Sequence, residues 1–191
     1  MGLAKKNEQR YTYADYVGWS DGIRYELIDG YAYAMSPAPT RRHQYVVLEL
    51  ARQIATVLKG TPCCPYIAPF DVRLPRDNEA DDDVDTVVQP DISVICDPAK
   101  LDERGCRGAP DWIIEVLSPS TSGHDQIVKR ALYERVGVRE YWLVHPVDNV
   151  VTIYVLAAGG YGKSTIQECS GTTTSTTLPS VTIDWTLVSE S

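Results

Sequence analysis

The segment that most constrains the fold is the apolar run at residues 111–117, DWIIEVL, which only Glu115 interrupts. A nearly continuous apolar run of this length is typical of a strand that is buried on both faces of its sheet. Such a strand needs packed layers on both sides, and helices are the usual layers. The segment therefore predicts a mixed α/β domain in which a central sheet lies between helices.

Patterns on either side of this run supply the other elements. With 191 residues and no internal repeat, we expect a single domain over residues 1–191, with a C-terminal β extension over 157–191. Asp29-Gly30 predicts the turn of an N-terminal hairpin between strands at residues 24–28 and 31–35. Apolar spacing and helix-ending glycines predict helices over 12–19, 40–59 and 122–136. Further strands are predicted over 66–74, 87–95, 140–144 and 150–156, with two edge strands in the tail.

Composition excludes several classes of protein. No apolar run approaches the roughly 18 residues that a membrane helix needs, and the start MGLAKKNEQRY lacks the apolar stretch of a signal peptide. The five cysteines form no C-x-x-C pair, so we interpret them as free thiols and disfavour a zinc site. These features predict a cytoplasmic protein that is not inserted in a membrane.

The net charge of −8 is unevenly distributed and argues against tight, non-specific binding of nucleic acid. Residues 77–85, DNEADDDVD, carry six acidic side chains and no basic one. We interpret this segment as a solvated loop between strands, since it lacks the spacing of a calcium-binding loop. The rest of the chain has 18 basic and 20 acidic side chains, a nearly balanced charge that allows a local basic surface.

Three acids lie within apolar strand patterns, where a charge is costly without a partner. Glu115 is the clearest, Asp91 lies at the mouth of the apolar strand after Pro90, and Glu26 lies in the first predicted strand. Asp111 and Glu115 are four residues apart on one strand, about 13 Å, and cannot share one ion. Asp91 can lie beside Glu115 if their strands are neighbours, and Asp111 is then a residue that begins a strand.

Two carboxylates that converge at strand ends form a hard, oxygen-rich site, which suits Mg²⁺ or Mn²⁺ better than zinc. The alternative, which spacing alone leaves open, is a pair of acids bonded to backbone amides or arginines. No P-loop, G-x-G-x-x-G or G-x-S-x-G sequence is present, so the common nucleotide-binding and serine-hydrolase interpretations are unsupported.

The second long helix carries a polar column at a spacing of four residues, formed by Asp125, Lys129 and Tyr133. Lys129 could reach the acids and stabilise charge on a phosphate, or it could form an ordinary i,i+4 salt bridge with Asp125. His124 precedes this column, and His43 begins the first long helix. The residues expected on the buried side of the second helix are Val128, Ala131, Leu132 and Val136.

Three stretches together resemble the Uma-type restriction endonuclease family of the PD-(D/E)XK nuclease superfamily. They are YELIDGYAYAMSPAPTRRHQ, then QPDISVI, then GAPDWIIEVLSPSTSGHDQIVKRALYERVGVREYWLVHP. The resemblance covers roughly residues 12–156, and its most specific part is EVLSPST…D…K…Y…GVREYW. One departure is His145, which stands where the family usually has aspartate.

The resemblance implies a restriction-endonuclease-like core and a metal-dependent phosphodiesterase that acts on DNA, with Mg²⁺ or Mn²⁺ as cofactor. It implies Asp91 and Glu115 as the motif acids and metal ligands, with Glu26 as an additional acid and ligand. Leu117 occupies the position of the usual motif lysine, and Lys129 matches a lysine that has moved to the following helix. Substrate contacts are expected from His43, Gln44 and Asp125. A homodimer is expected, and a catalytically inactive binding or regulatory module is the alternative function.

Overall fold

A computed structural model describes residues 8–35, 39–119 and 122–189; residues 1–7, on which the signal-peptide expectation rests, lie outside this part. The helices are α1 (Tyr13–Val17), α2 (Arg41–Leu58), α3 (Arg130–Val136), which continues a π-helical turn (His124–Lys129), and α4 (Trp185–Ser189). The strands are β1 (Tyr25–Ile28), β2 (Tyr31–Ala34), β3 (Cys64–Ile67), β4 (Val72–Arg73), β5 (Val87–Val88), β6 (Ile92–Ile95), β7 (Leu101–Asp102), β8 (Gly105–Arg107), β9 (Trp112–Val116), β10 (Glu140–His145), β11 (Val150–Ala157), β12 (Gly160–Tyr161), β13 (Thr165–Glu168), β14 (Thr172–Thr174) and β15 (Thr182–Asp184).

The larger sheet lies between the two long helical segments, as the apolar run predicted. Within the described residues its strand order is β12-β11-β10-β9-β6-β3, and β13 pairs with β11. Alternate residues of β9 face opposite sides, so Trp112 and Ile114 pack in the core that contains α2, whereas Ile113 packs in the core that contains α3. The predicted mixed α/β fold is confirmed, and this sheet is its centre.

A second sheet, with the strand order β2-β1-β5-β4-β8-β7, begins with the predicted hairpin. Its two-residue turn places Asp29 at φ 50° and Gly30 at φ 79°. Two successive residues with positive φ make the tight turn whose twist matches that of the flanking strands. The hairpin prediction is confirmed, and β1 carries Glu26 next to β5.

Two strands predicted as continuous are each divided between the sheets. The predicted strand 66–74 is β3 in the larger sheet and β4 in the smaller one, and the predicted strand 87–95 is β5 and β6. Pro69 and Pro90 lie at these divisions, and a proline cannot donate to a strand ladder. As a result, Asp91 lies where the chain crosses from one sheet to the other.

The acidic loop is only partly solvated, which corrects the sequence interpretation. Asp82 and Asp83 are exposed, but the Asp81 carboxylate accepts hydrogen bonds from Arg73, Arg104 and Arg107. Arg73 on β4 is completely buried, and a buried guanidinium requires carboxylate partners. The loop therefore supplies a counter-ion to the smaller sheet, whose strands β7 and β8 the sequence patterns did not reveal.

The interpretation of all five cysteines as free thiols is wrong, because Cys63 and Cys96 form a disulfide. The two residues flank the paired ends of β3 and β6, where Cys64 is opposite Ile95. Their separation of 33 residues hid this proximity, since only strand pairing brings them together. Cys64, Cys106 and Cys169 are free.

The C-terminal tail contributes to the core, which goes beyond the predicted pair of edge strands. Val181, Ile183 and Trp185 are completely buried in the core that contains α2. The buried Glu140 carboxylate anchors the tail by accepting hydrogen bonds from the Thr176 and Thr177 backbone, the Ser175 hydroxyl and the Trp142 indole. Glu140 is therefore a structural acid.

We expect Glu140→Gln to lower the free energy of unfolding by about 1 to 3 kcal/mol, measured by urea denaturation. The two oxygens of the Glu140 carboxylate accept hydrogen bonds from four donors. The glutamine amide keeps the shape of the carboxylate but replaces one acceptor oxygen with an NH₂ group, which cannot accept from those donors. The matched control is Glu168→Gln on β13, where the side chain is exposed. Equal stabilities of the two variants would contradict this role of Glu140.

None of the helices in the described ranges is both long and apolar enough to cross a membrane.

Candidate active site

The pairing of β6 with β9 brings the two principal acids together. These strands are antiparallel, with Ile92 opposite Ile114 and Val94 opposite Trp112. One residue further along, the Asp91 N–H donates to Glu115 Oε2 at 3.2 Å, and the Val116 N–H donates to Asp91 Oδ2 at 2.8 Å. Asp91 and Glu115 therefore lie side by side at neighbouring strand ends, as the sequence argument required.

Asp91 is the more accessible of the two acids, with 21% of its side chain exposed. His43 Nε2, on the first turn of α2, lies 3.1 Å from Asp91 Oδ2. Thr40 caps this helix by accepting a hydrogen bond from the His43 N–H. Burial lowers the pKa of His43, but the hydrogen bond to Asp91 and its charge outweigh burial, so the pKa is raised overall. His43 thus lies within hydrogen-bond distance of the Asp91 carboxylate.

The Lys129 ammonium lies among the buried acids. Lys129 Nζ is 2.9 Å from both Glu26 Oε1 and Glu115 Oε1, and 3.6 Å from Asp125 Oδ1. All four side chains are nearly fully buried. The i,i+4 pair with Asp125 is therefore the longest of three contacts, and Lys129 joins the hairpin to the central strand.

The polar column of the second helix faces the protein interior together with Leu132. Asp125, Lys129 and Tyr133 are buried, whereas Ala131 is exposed. The expected apolar stripe is correct for Leu132 but wrong for Ala131, and Val128 and Val136 are only partly buried. The cause is the strand on which this helix packs, because Glu115 points from β9 toward the helix. The Glu115 carboxylate accepts hydrogen bonds from the Lys129 ammonium and, at 3.1 Å, from the Tyr133 hydroxyl.

Burial raises the pKa of Glu115 well above its usual value; the Lys129 charge lowers it, and the charges of Asp125, Asp91 and Glu26 raise it further. Burial alone would lower the pKa of Lys129, but the surrounding carboxylates raise it. The ammonium is therefore retained, while the carboxylates exceed it in number. This excess of buried carboxyl groups over ammonium groups favours the uptake of a proton or of another cation.

The structure also places three other residues that the sequence analysis singled out. Asp125 is buried beside Lys129, and its backbone carbonyl accepts from the Tyr141 hydroxyl. Gln44 is exposed on the first turn of α2, outside the buried cluster. Asp111 precedes β9, where its carboxylate accepts from the Cys96 N–H and lies 3.3 Å from Arg139 Nη1, which agrees with its interpretation as a residue that begins a strand.

Sequence reasoning missed Gln89 as a residue that holds Glu26. Its backbone N–H donates to Glu26 Oε1 at 2.9 Å. Its side-chain amide donates to Tyr16 and Asp71 and accepts from Arg24. The one sequence feature that could have indicated Gln89 is its position directly before Pro90-Asp91. That position does not reveal hydrogen-bond partners that are 18 to 73 residues away in the chain.

His124 is a second residue whose place the sequence did not reveal. It is 5% exposed, its ring packs 5.0 Å from that of Tyr33, and its Nε2 atom lies 4.0 Å from Glu26 Oε2. Burial and the Lys129 charge lower the pKa of His124 to about 4, so the imidazole is neutral at pH 7. The contact with Glu26 is therefore not an ion pair.

The donor set suits a magnesium-type ion. Within the described part of the chain, no group of three or more His, Cys, Asp or Glu side chains is placed to hold a metal ion. Mg²⁺, however, is usually held by one or two carboxylates and keeps several waters. Asp91 and Glu115 supply two carboxylates, and the excess of buried acids leaves negative charge for a cation to balance. The residues present thus fit Mg²⁺ or Mn²⁺.

A mixed sheet between helices, with acids on neighbouring strands and a lysine beside them, defines the restriction-endonuclease-like class of nuclease folds. The chain belongs to the Uma2 family, described as "Putative restriction endonuclease", whose model matches residues 13–187. This confirms the resemblance. The chain is 28% identical over 143 residues to the uncharacterized protein slr1290 of Synechocystis sp., covering 73% of this chain and 71% of that protein.

The fold is also that of a solved structure. A crystal structure titled as a putative nuclease belonging to DUF820, from Anabaena variabilis, superposes with a TM-score of 0.69 at 19% identity. The match covers 90% of this chain and 92% of that chain. At this identity the match shows the fold alone, which is restriction-endonuclease-like.

Proposed function

We propose that the protein is a divalent-metal-dependent endonuclease that hydrolyses phosphodiester bonds in DNA. The observation that carries the proposal is the buried cluster in which Glu26, Glu115 and Asp125 surround the single Lys129 ammonium, beside the more exposed Asp91. The cluster holds three carboxyl groups against one ammonium, so it has acidic groups available for a further cation. Membership of the family supports nuclease chemistry.

Asp91 and Glu115 would hold Mg²⁺ or Mn²⁺, with Glu26 adding a ligand through water. The bound ion would supply Lewis-acid activation of a water molecule and of the scissile phosphate. The Lys129 ammonium would stabilise negative charge that develops on the phosphate. Because Asp91 is the most exposed of these residues, we expect the substrate to approach from its side, past His43 and Gln44.

The chain's own contacts hold these groups in position. Tyr133 and the Asp91 N–H each donate to the Glu115 carboxylate, so its two oxygens are fixed. Glu26 Oε1 also holds the Lys129 ammonium, at 2.9 Å. Side chains fixed in this way lose little freedom when substrate binds, which is the basis of preorganised electrostatic stabilisation.

Incubation of plasmid DNA with the protein and Mn²⁺ or Mg²⁺ tests the proposal. We expect metal-dependent cleavage that EDTA abolishes and that Glu115→Gln reduces by about 100-fold or more, because the amide removes a ligand charge. Glu168→Gln, on the exposed end of β13, is the control. Failure of the wild type to cleave double-stranded, single-stranded or supercoiled DNA with either metal would exclude the proposal.

One observation favours the alternative of an inactive binding or regulatory module. The Lys129 ammonium already bridges Glu26 and Glu115 at 2.9 Å each, so the cluster is partly satisfied without metal. Calorimetric titration with Mn²⁺ separates the two functions. The endonuclease binds Mn²⁺ and loses affinity in Glu115→Gln, whereas an inactive module does neither.

DNA as the partner, a homodimer and a cytoplasmic location are further parts of this proposal. A cut in both strands of a duplex needs two clefts, and a pair of chains would supply them. Size-exclusion chromatography with light scattering, with and without DNA, measures whether the chain pairs. A monomer that nicks a single strand would exclude the dimer and keep the hydrolytic proposal.

A further inference from the structure

An exposed arginine near the candidate active site is held by a neutral side chain. The Nε and Nη2 atoms of Arg24 both donate to the Gln89 amide oxygen, at 3.1 and 2.5 Å. Arg24 is exposed, whereas Gln89 is only 9% exposed. A buried residue therefore orients a guanidinium group that solvent can reach. Among the described residues, Arg24 forms no ion pair with a carboxylate.

Many other arginines of the described chain have their charge balanced by an acid. Carboxylates lie within ion-pair distance of Arg52, Arg73, Arg76, Arg104, Arg107, Arg130, Arg135 and Arg139. Arg24 differs from these residues, because an amide oxygen accepts hydrogen bonds but carries no net charge. A guanidinium has five N–H donors, and the two bonds to Gln89 leave three of them for a ligand.

The Gln89 amide can present only its oxygen to Arg24. Its NH₂ group donates to Asp71 Oδ1 at 2.8 Å and to the Tyr16 hydroxyl at 2.9 Å. An ionised carboxylate only accepts hydrogen bonds and a guanidinium only donates them, so a flipped amide would lose both contacts. Asp71 is thus separated from Arg24 by the amide, and it keeps the amide oxygen directed at the guanidinium.

Gln89 also connects Arg24 to the acids of the candidate active site. The Met35 N–H donates to the Arg24 carbonyl, so residue 24 continues the ladder between β1 and β2. Residues two apart on a strand share one side and are about 6.6 Å apart, which places Arg24 on the same side of β1 as Glu26. Gln89 contacts both residues, since its backbone N–H donates to Glu26, and it precedes Asp91 by two residues.

We propose, on the basis of the function proposed above, that the Arg24 guanidinium binds a phosphate of the DNA backbone beside the phosphate that is cut. The planar guanidinium matches phosphate geometry, and contacts to phosphates position a nucleic acid without reading its sequence. Arg24 is then a substrate-binding residue that offsets part of the repulsion between DNA and this acidic chain. The competing explanation is that Arg24 only supports Gln89 and, through it, Glu26.

The salt dependence of DNA binding separates these explanations without relying on cleavage. Binding of a fluorescent DNA duplex is measured by anisotropy over a series of KCl concentrations, with EDTA and with Ca²⁺, a hard cation that takes oxygen ligands. Each basic side chain that neutralises a phosphate contributes about 0.9 to the slope of log Kd against log salt. We expect Arg24→Gln to lower this slope by about one and to weaken binding by about tenfold at low salt. Arg24→Lys should keep the slope, because it keeps the charge.

Two further variants are the controls. Arg52→Gln removes the same charge from an exposed arginine of α2 that is already paired with Glu49, and we expect the wild-type slope. Gln89→Ala keeps the charge of Arg24 and the backbone N–H that donates to Glu26, so its slope should also be unchanged. In cleavage with Mn²⁺, Arg24→Gln should show a KM about tenfold higher and a kcat within about twofold of the wild type.

The outcomes separate this proposal from the proposed function. An unchanged slope in Arg24→Gln, or an equal fall in Arg52→Gln, overturns the phosphate contact. A wild type that cleaves DNA with a KM that Arg24→Gln leaves unchanged also overturns the contact, while the proposed function stands. A slope that falls only in Arg24→Gln, in a protein that binds DNA and does not cleave it, supports the contact and contradicts the endonuclease. A wild type that neither binds nor cleaves DNA overturns both.

Discussion

Replacing Lys129 by methionine is expected to lower the free energy of unfolding by about 3 to 5 kcal/mol in the absence of metal. The ammonium contacts Glu26 and Glu115 at 2.9 Å each and Asp125 at 3.6 Å, and all three acids are nearly fully buried. Methionine fills a similar volume but leaves three carboxylates without their cation. Uncompensated buried charge is among the largest known causes of destabilisation by a single substitution.

The variant can recover stability by two routes, and each has its own measurement. The first is protonation of an acid, because burial and neighbouring acids already raise the pKa of Glu115. A raised folded-state pKa contributes stability that is present below the unfolded-state pKa and is lost as the pH rises through the folded-state value. Without Lys129 that pKa rises further, so Lys129→Met should lose more stability than the wild type as the pH rises above the usual pKa of a glutamate carboxyl.

The second route is a divalent ion, which can replace the missing positive charge. Urea denaturation with Mn²⁺ and with EDTA should show that Mn²⁺ stabilises Lys129→Met more than it stabilises the wild type. Lys100→Met is the matched control, since Lys100 Nζ donates to the Ala109 carbonyl and its loss should cost only about 1 kcal/mol. A Lys129→Met protein as stable as Lys100→Met in EDTA would contradict the charge excess on which the proposed function depends.

The sequence predicted the placement of the acids because a carboxylate in a buried strand is rare and must be paired, protonated or bound to a metal. Glu115 was identified from its apolar run alone, and Asp91 followed because Asp111 lies too far along the same strand. The place of Lys129 came from the family resemblance, since helical spacing alone favoured an ordinary salt bridge with Asp125. Local patterns thus located the charged groups, but not their partners.

What the sequence did not reveal depends on pairing between distant segments. The Cys63–Cys96 disulfide and the ion pairs of Asp81 arise from strands and loops that become neighbours only in the folded chain. The same holds for the contact of His124 with Glu26, which joins the third helical segment to the first strand. Hydrophobic periodicity carries no information on such contacts, because polar residues do not contribute to it.

Asp91→Asn is expected to reduce metal-dependent cleavage by about 100-fold or more while changing the free energy of unfolding by about 1 kcal/mol or less. The amide oxygen of asparagine can still accept from the Val116 N–H, as Asp91 Oδ2 does at 2.8 Å, so the end of β9 stays capped. The negative charge, which the proposed ion and His43 both require, is removed. The substitution therefore separates the charge of Asp91 from its structural hydrogen bond.

The chain offers a matched control in its other Pro-Asp dipeptide. Asp111 accepts from the Cys96 N–H at 2.8 Å, so Asp111→Asn makes the same chemical change in a comparable structural setting. Asp111 lies just before the first residue of β9, four residues from Glu115. Within the described ranges, its charged partner is Arg139. We expect Asp111→Asn to cleave DNA at the wild-type rate and to bind Mn²⁺ normally, whereas Asp91→Asn does neither. Equal losses in the two variants would show that both act through the sheet, and the assignment of Asp91 as a metal ligand would be wrong.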